Sequence, residues 1–106
     1  MNDRILAARQ ALALMDLTRL EAGDDEARIE RLCQRAATSF GTVAAVCVYP
    51  QFIDTARSVL HQQGLADKVA VATVVNFPGG DEDADRVLEA IRSALTAGAN
   101  EIDLVF

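Results

Sequence analysis

Four short apolar runs, separated by stretches of helical periodicity, constrain this chain more than any other feature. They are "LALMDL" (12–17), "VAAVCVY" (43–49), "VAVATVVNF" (69–77) and "EIDLVF" (101–106). Most are continuous rather than alternating and two are rich in valine, the pattern of strands covered on both faces in a parallel sheet. In "DDEARIERLCQRAA" the apolar residues Ile29, Leu32, Cys33, Ala36 and Ala37 follow helical spacing. In "QFIDTARSVLHQQG" the stripe is Phe52, Ile53, Ala56, Val59 and Leu60, with Gly64 placed to end the helix. In "DEDADRVLEAIRSALTAG" acids fill the first turn, Ala84, Val87, Leu88, Ile91 and Leu95 make the stripe, and Gly98 closes it. A first helix is expected over roughly residues 3 to 10, near the N-terminus. The order is therefore α-β-α-β-α-β-α-β, and the spacing of about thirty residues between strands is that of βαβ units with right-handed crossovers.

Two architectures fit this α/β order: a small open doubly wound sheet, or half of a (β/α)8 barrel. No GxGxxG follows the first strand, so dinucleotide binding is poorly supported. The chain also lacks a P-loop, an HExxH and a CxxC. His61, the one histidine, falls at a helix end beside two glutamines and reads as solvated, which leaves no Ser–His–Asp triad or histidine metal site. With 106 residues, the chain reads as one domain (1–106). A net charge of −6 argues against a nucleic-acid or anionic-membrane surface. There is no stretch of apolar residues long enough to span a bilayer, and the N-terminus does not resemble a secretory signal. Cys33 and Cys47, one in a helix and one in a strand, are expected to be reduced thiols of a cytoplasmic protein.

Side chains alternate faces along a strand. In "EIDLVF" Glu101, Asp103 and Val105 share one face, and Ile102, Leu104 and Phe106 take the helix-covered one. Asp103 is thus expected on the inner face, where an unpaired carboxylate is costly to bury. By the same alternation Leu14, Asp16 and Thr18 face inward on the first strand, and Cys47 and Tyr49 on the second. A lone aspartate at a strand end is readily explained as a loop cap. Two on one face, near the C-terminal ends where α/β proteins keep their sites, point toward function.

"ALALMDLT", "AAVCVYPQFI", "VATVVNFPGG" and "AGANEIDLVF", in this order and spacing, resemble the 2-deoxyribose-5-phosphate aldolase family from about residue 10 onward. The resemblance implies a (β/α)8 barrel of which this chain matches the first four βα units. It further implies a class I aldolase: reversible cleavage of 2-deoxyribose 5-phosphate to acetaldehyde and glyceraldehyde 3-phosphate through a Schiff base on a lysine, with no cofactor and no metal. By motif position Asp103 and Asp16 match catalytic carboxylates. Thr18, Leu20 and Phe77 match residues beside the substrate, and Cys47 matches an active-site thiol the chemistry does not require. The family's Schiff-base lysine has no counterpart here. The single lysine, Lys68, precedes the third strand at the end away from the site.

The expectation is then a half-barrel, inactive by itself, that pairs with the missing half or forms a homo-oligomer. The alternative is a self-associating structural half-barrel without activity, whose crowded inner carboxylates would oppose closure into a native-like barrel. A small ligand-binding α/β domain unrelated to the family is a third, with no motif of its own.

Overall fold

The computed structural model describes residues 2–106. The chain passes through α1 (Asp3–Leu12), β1 (Asp16–Arg19), α2 (Glu26–Gln34), β2 (Ala45–Val48), α3 (Ile53–Gln62), β3 (Ala70–Val75), α4 (Ala84–Ala97) and β4 (Glu101–Leu104). The strands form one sheet in the order β1-β2-β3-β4, each pair parallel. The expected alternation and parallel pairing are therefore present. A small antiparallel ribbon, Ala37–Thr38 against Gly41–Thr42, was not expected and sits between α2 and β2.

Local chemistry sets the helix boundaries. Asn2, Asp25 and Asp83 cap α1, α2 and α4, each side chain accepting a hydrogen bond from the backbone N–H three residues on. A single turn of 3-10 helix over Pro50–Phe52 leads into α3 instead. Gly98 ends α4 with φ 108°, in the left-handed region where a Cβ is disfavoured.

The register fixes which side chains share a face. Thr18, Cys47, Ala72 and Glu101 lie in one row across the sheet, and Arg19, Val48, Thr73 and Ile102 in the next. The helix-covered face carries the main core: Val46, Val48 and Val71 packed with Ile29 and Cys33 of α2, and Ile53, Ala56 and Leu60 of α3. Leu17 and Ile102 add to it from the edge strands. Thr73, fully buried, donates from Oγ1 to the Val48 carbonyl oxygen at 2.7 Å and so meets its polar requirement inside that core. The opposite face holds a smaller cluster of Ala45, Cys47, Ala72 and Val74.

Three sequence expectations need correction. The run at 12–17 is not all strand: Leu12 closes α1, and Leu14 and Met15 donate back to Ala11 and Leu12 in a continuing turn. A long apolar run here serves two elements, because Leu12 and Leu17 both pack on the main core from different directions. On α4, Leu88 and Leu95 stay half-exposed, and the sheet is met by Ala94 with Val87, Ala90, Ile91 and Ala97 half-buried beside it. Small residues are needed where a helix lies close on a sheet, so the two leucines fall on the helix flank. Finally, "EIDLVF" is an edge strand with an open inner face: Glu101 and Asp103 are exposed and carry no burial cost.

Candidate active site

The inner face of the sheet is where the sequence placed its candidates, and the structure brings most of them together there. Asp16 and Thr18 come from β1, Cys47 from β2 and Asp103 from β4. Cys47 Sγ lies 3.7 Å from Asp103 Oδ2, although the two residues sit on strands separated by β3. The contact runs diagonally over β3, where Ala72 lies in line with Cys47 and Val74 in line with Asp103. Asp16, Asp103 and Glu101 are exposed, whereas Cys47 is 3% exposed at the floor of the face.

The electrostatics report the same convergence. Burial above all, then the Asp103 carboxylate, then Asp16 and Glu101, pushes the Cys47 thiol up from 9.0 to about 11. Three carboxylates from both edge strands thus act on one sulfur. The thiol stays protonated at neutral pH, which makes it a poor nucleophile there.

At the C-terminal ends of β1 and β2, Leu20 and Tyr49 respectively pack against the inner cluster. The Tyr49 and Phe77 rings meet edge to face, 6.0 Å between centroids, with Phe77 38% exposed. Sequence reasoning placed Tyr49 on the inward face without assigning it a part; its alternation with Cys47 was the available signal. Asn76 was missed altogether. It adopts φ 60°, accepts from the Glu82 N–H at Oδ1 and donates from Nδ2 to the Val105 carbonyl, both at 2.8 Å. It thereby ties the loop that carries Phe77 to the chain just after β4. The turn-forming "NFPGG" was the only hint of it.

Lys68 sits before the N-terminal end of β3, exposed, in a shallow recess with Ala44, Asp67 and Asn100. It is at the opposite end of the strands from Thr18, Tyr49 and Phe77. His61 is exposed near the end of α3, as expected. Cys33 and Cys47 are both free thiols. Among the described residues no group of three or more histidines, cysteines or acids is arranged to hold a metal ion, and no helix is long and apolar enough to cross a membrane.

Comparison with known proteins agrees with this geometry. Solved structures share the fold. One assigned as a deoxyribose-phosphate aldolase from Coccidioides immitis matches with a TM-score of 0.79 at 29% identity, over 91% of this chain and 36% of its own. Another so assigned, from Toxoplasma gondii, matches with a TM-score of 0.83 at 24% identity, over 95% of this chain and 40% of its own. A tetrameric deoxyribose phosphate aldolase from Aeropyrum pernix matches with a TM-score of 0.74 at 21% identity, over 98% and 46%. The chain therefore spans less than half the length of these structures, and its four parallel strands with their covering helices form half of a barrel wall. Residues 10–106 match the DeoC/LacD family aldolase, and the chain belongs to that family.

Proposed function

We propose that this chain is the N-terminal half of a class I deoxyribose-phosphate aldolase and supplies its acid–base side. The observation that carries the reading is the meeting of Asp103 and Asp16 around the Cys47 thiol on one sheet face. Cleavage of 2-deoxyribose 5-phosphate between C2 and C3 needs an amine to form the Schiff base, a base for the C3 hydroxyl proton, and an acid to protonate the enamine carbon. Asp103, working through water, suits the proton transfers, and Asp16 holds a second carboxylate over the same face. Thr18 and Leu20 line the β1 side, and Phe77 with Tyr49 closes the β2–β3 side.

The amine must come from further βα units, because Lys68 lies at the wrong end. The phosphate of the substrate is also expected there, since barrels commonly build that site after their last strands. The chain alone is accordingly inactive. The test is turnover of 2-deoxyribose 5-phosphate together with borohydride trapping of a Schiff base. The 106-residue chain is expected to give neither. A longer polypeptide that includes four more βα units is expected to give both, and Asp103→Asn in it to cost on the order of 10²–10⁴ in rate. Turnover by the isolated chain, or full activity of the Asp103→Asn enzyme, would defeat the proposal.

A second reading, a self-associating half-barrel, is favoured by the exposure of Leu88, Leu95, Leu104 and Phe106 along the β4 side. A free sheet edge beside an apolar flank invites pairing with another chain. Sedimentation over a concentration series separates the two: a dimer without turnover in any longer form would support this one.

A further inference from the structure

We infer that the flank of α2 beside β1 is a docking surface for an acidic-faced α-helix, namely the helix that covers the strand adding to the free edge of β1. The inference rests on the half-barrel reading above.

The first observation is charge segregation on α2. Glu26 and Glu30 line the groove toward α3. Arg28, Arg31 and Arg35 line a groove of about 250 Å³ on the opposite flank, shared with Arg19. From Glu26 to Arg35, each pair of charges three or four residues apart is of like sign, an arrangement that weakens a solitary helix. Arg19 is neutralised by Asp24 and Glu21. Among the described residues Arg28, Arg31 and Arg35 form no ion pair, although the chain as a whole carries a net charge of −6. Acids are abundant, yet none is spent on this stripe.

The second observation is a cleft directly beside it. Leu12, Met15, Leu17 and Val43 line a cleft of about 530 Å³, and Arg35 borders both the cleft and the arginine groove. An occupant must therefore be amphipathic, apolar toward the cleft and acidic toward the arginines.

Topology says what that occupant is. β1 is a terminal strand with one edge unpaired, and the helices cover a single face of the sheet. A strand added to β1 brings its own covering helix onto the free flank of α2, since the helices of such a barrel form a continuous outer ring. The matched structures extend well beyond the part this chain covers, which leaves length in them for units of that kind. A second copy of this chain is a poor occupant: its free flank at the β4 side presents Leu88 and Leu95, which would strip water from the arginines without pairing them.

The test uses two synthetic helical peptides of identical apolar face, one with three glutamates in i, i+4, i+7 positions and one with lysines in their place. Each is titrated into the chain while backbone amide shifts and peptide anisotropy are read. The glutamate peptide is expected to shift amides of α2 and the β1 edge and to bind roughly ten-fold more tightly than the lysine peptide, the sum of a few exposed ion pairs gained or opposed. That preference is expected to shrink as salt is raised, to vanish in Arg31→Glu/Arg35→Glu, and to persist in Arg31→Lys/Arg35→Lys and in the distant Arg92→Glu. No binding of either peptide at millimolar concentration, or equal binding of both, overturns the inference. So does pyrophosphate saturating the same amides without being displaced by the glutamate peptide, which would assign the groove to a small polyanion. The aldolase proposal is read by turnover, so each can fail without the other.

Discussion

Cys47 and Asp103 meet diagonally across an intervening strand, Sγ to Oδ2 at 3.7 Å, where Ala72 lies in line with Cys47 and Val74 in line with Asp103. Burial first, and the nearby carboxylate second, raise the thiol to about 11, so the sulfur keeps its proton at neutral pH.

Alkylation of Cys47 should therefore be slow at neutral pH and rise only as pH approaches about 11. In Asp103→Asn the midpoint is expected to fall but to stay above 9.0, because burial, the larger cause, is untouched. Iodoacetamide rates across pH in a Cys33→Ala background measure this directly. An unchanged midpoint in the variant would mean that the carboxylate does not act on the sulfur.

Cys33 gives a companion effect on stability. Both thiols titrate at about 11 in the folded chain against 9.0 unfolded, and both are buried. The folded state holds protons that the unfolded state releases. Stability is thus whole below pH 9 and declines as pH climbs from 9 toward 11, by up to about 3 kcal/mol for each thiol. Urea midpoints recorded through that window should slope downward in the wild type and much less in Cys33→Ala/Cys47→Ala.

Gly98 tests the end of α4. At φ 108° alanine meets backbone strain, while the Arg57 side chain, 3.4 Å from where a Cβ would stand, offers ordinary contact. Gly98→Ala is expected to cost about 1–2 kcal/mol, read as a lowered urea midpoint with an unchanged slope. A neutral or stabilising result would show that the turn relaxes at no cost.

Thr73 tests the polar link inside the main core. Thr73→Val keeps the shape and removes the 2.7 Å hydrogen bond to Val48, for an expected loss of about 1 kcal/mol. Chemical denaturation checks it, and Thr73→Ser separates the hydroxyl from the lost methyl packing.

Much of the fold could be read from residues because each apolar run keeps one job. Val46 and Val71 pack on the helix-covered side, as continuous valine-rich runs require, and Gly64 and Gly98 sit in left-handed turns where helices were expected to stop. The first run misled because its residues divide between a helix end and a strand, and hydrophobicity alone does not mark the turn at Leu14. The α4 stripe misled for a related reason: periodicity finds the apolar side of a helix but not which part of that side touches the sheet. Asp103, Asp16 and Cys47 were placed on one face by simple alternation. The Cys47–Asp103 contact across β3 was not legible, since it depends on strand order and on the register of a third strand. Asn76 could not be found that way either, because its two partners lie on different segments.

That asparagine changes how the site wall behaves. Its amide holds the backbone of residue 82 on one side and residue 105 on the other, so the loop and the chain beyond β4 are joined into one hydrogen-bonded body. The Phe77 ring is carried on that body rather than on a free loop. A push on the backbone at residue 105 would be transmitted, as through a lever, to the aromatic surface facing Tyr49 some thirty positions earlier in the sequence.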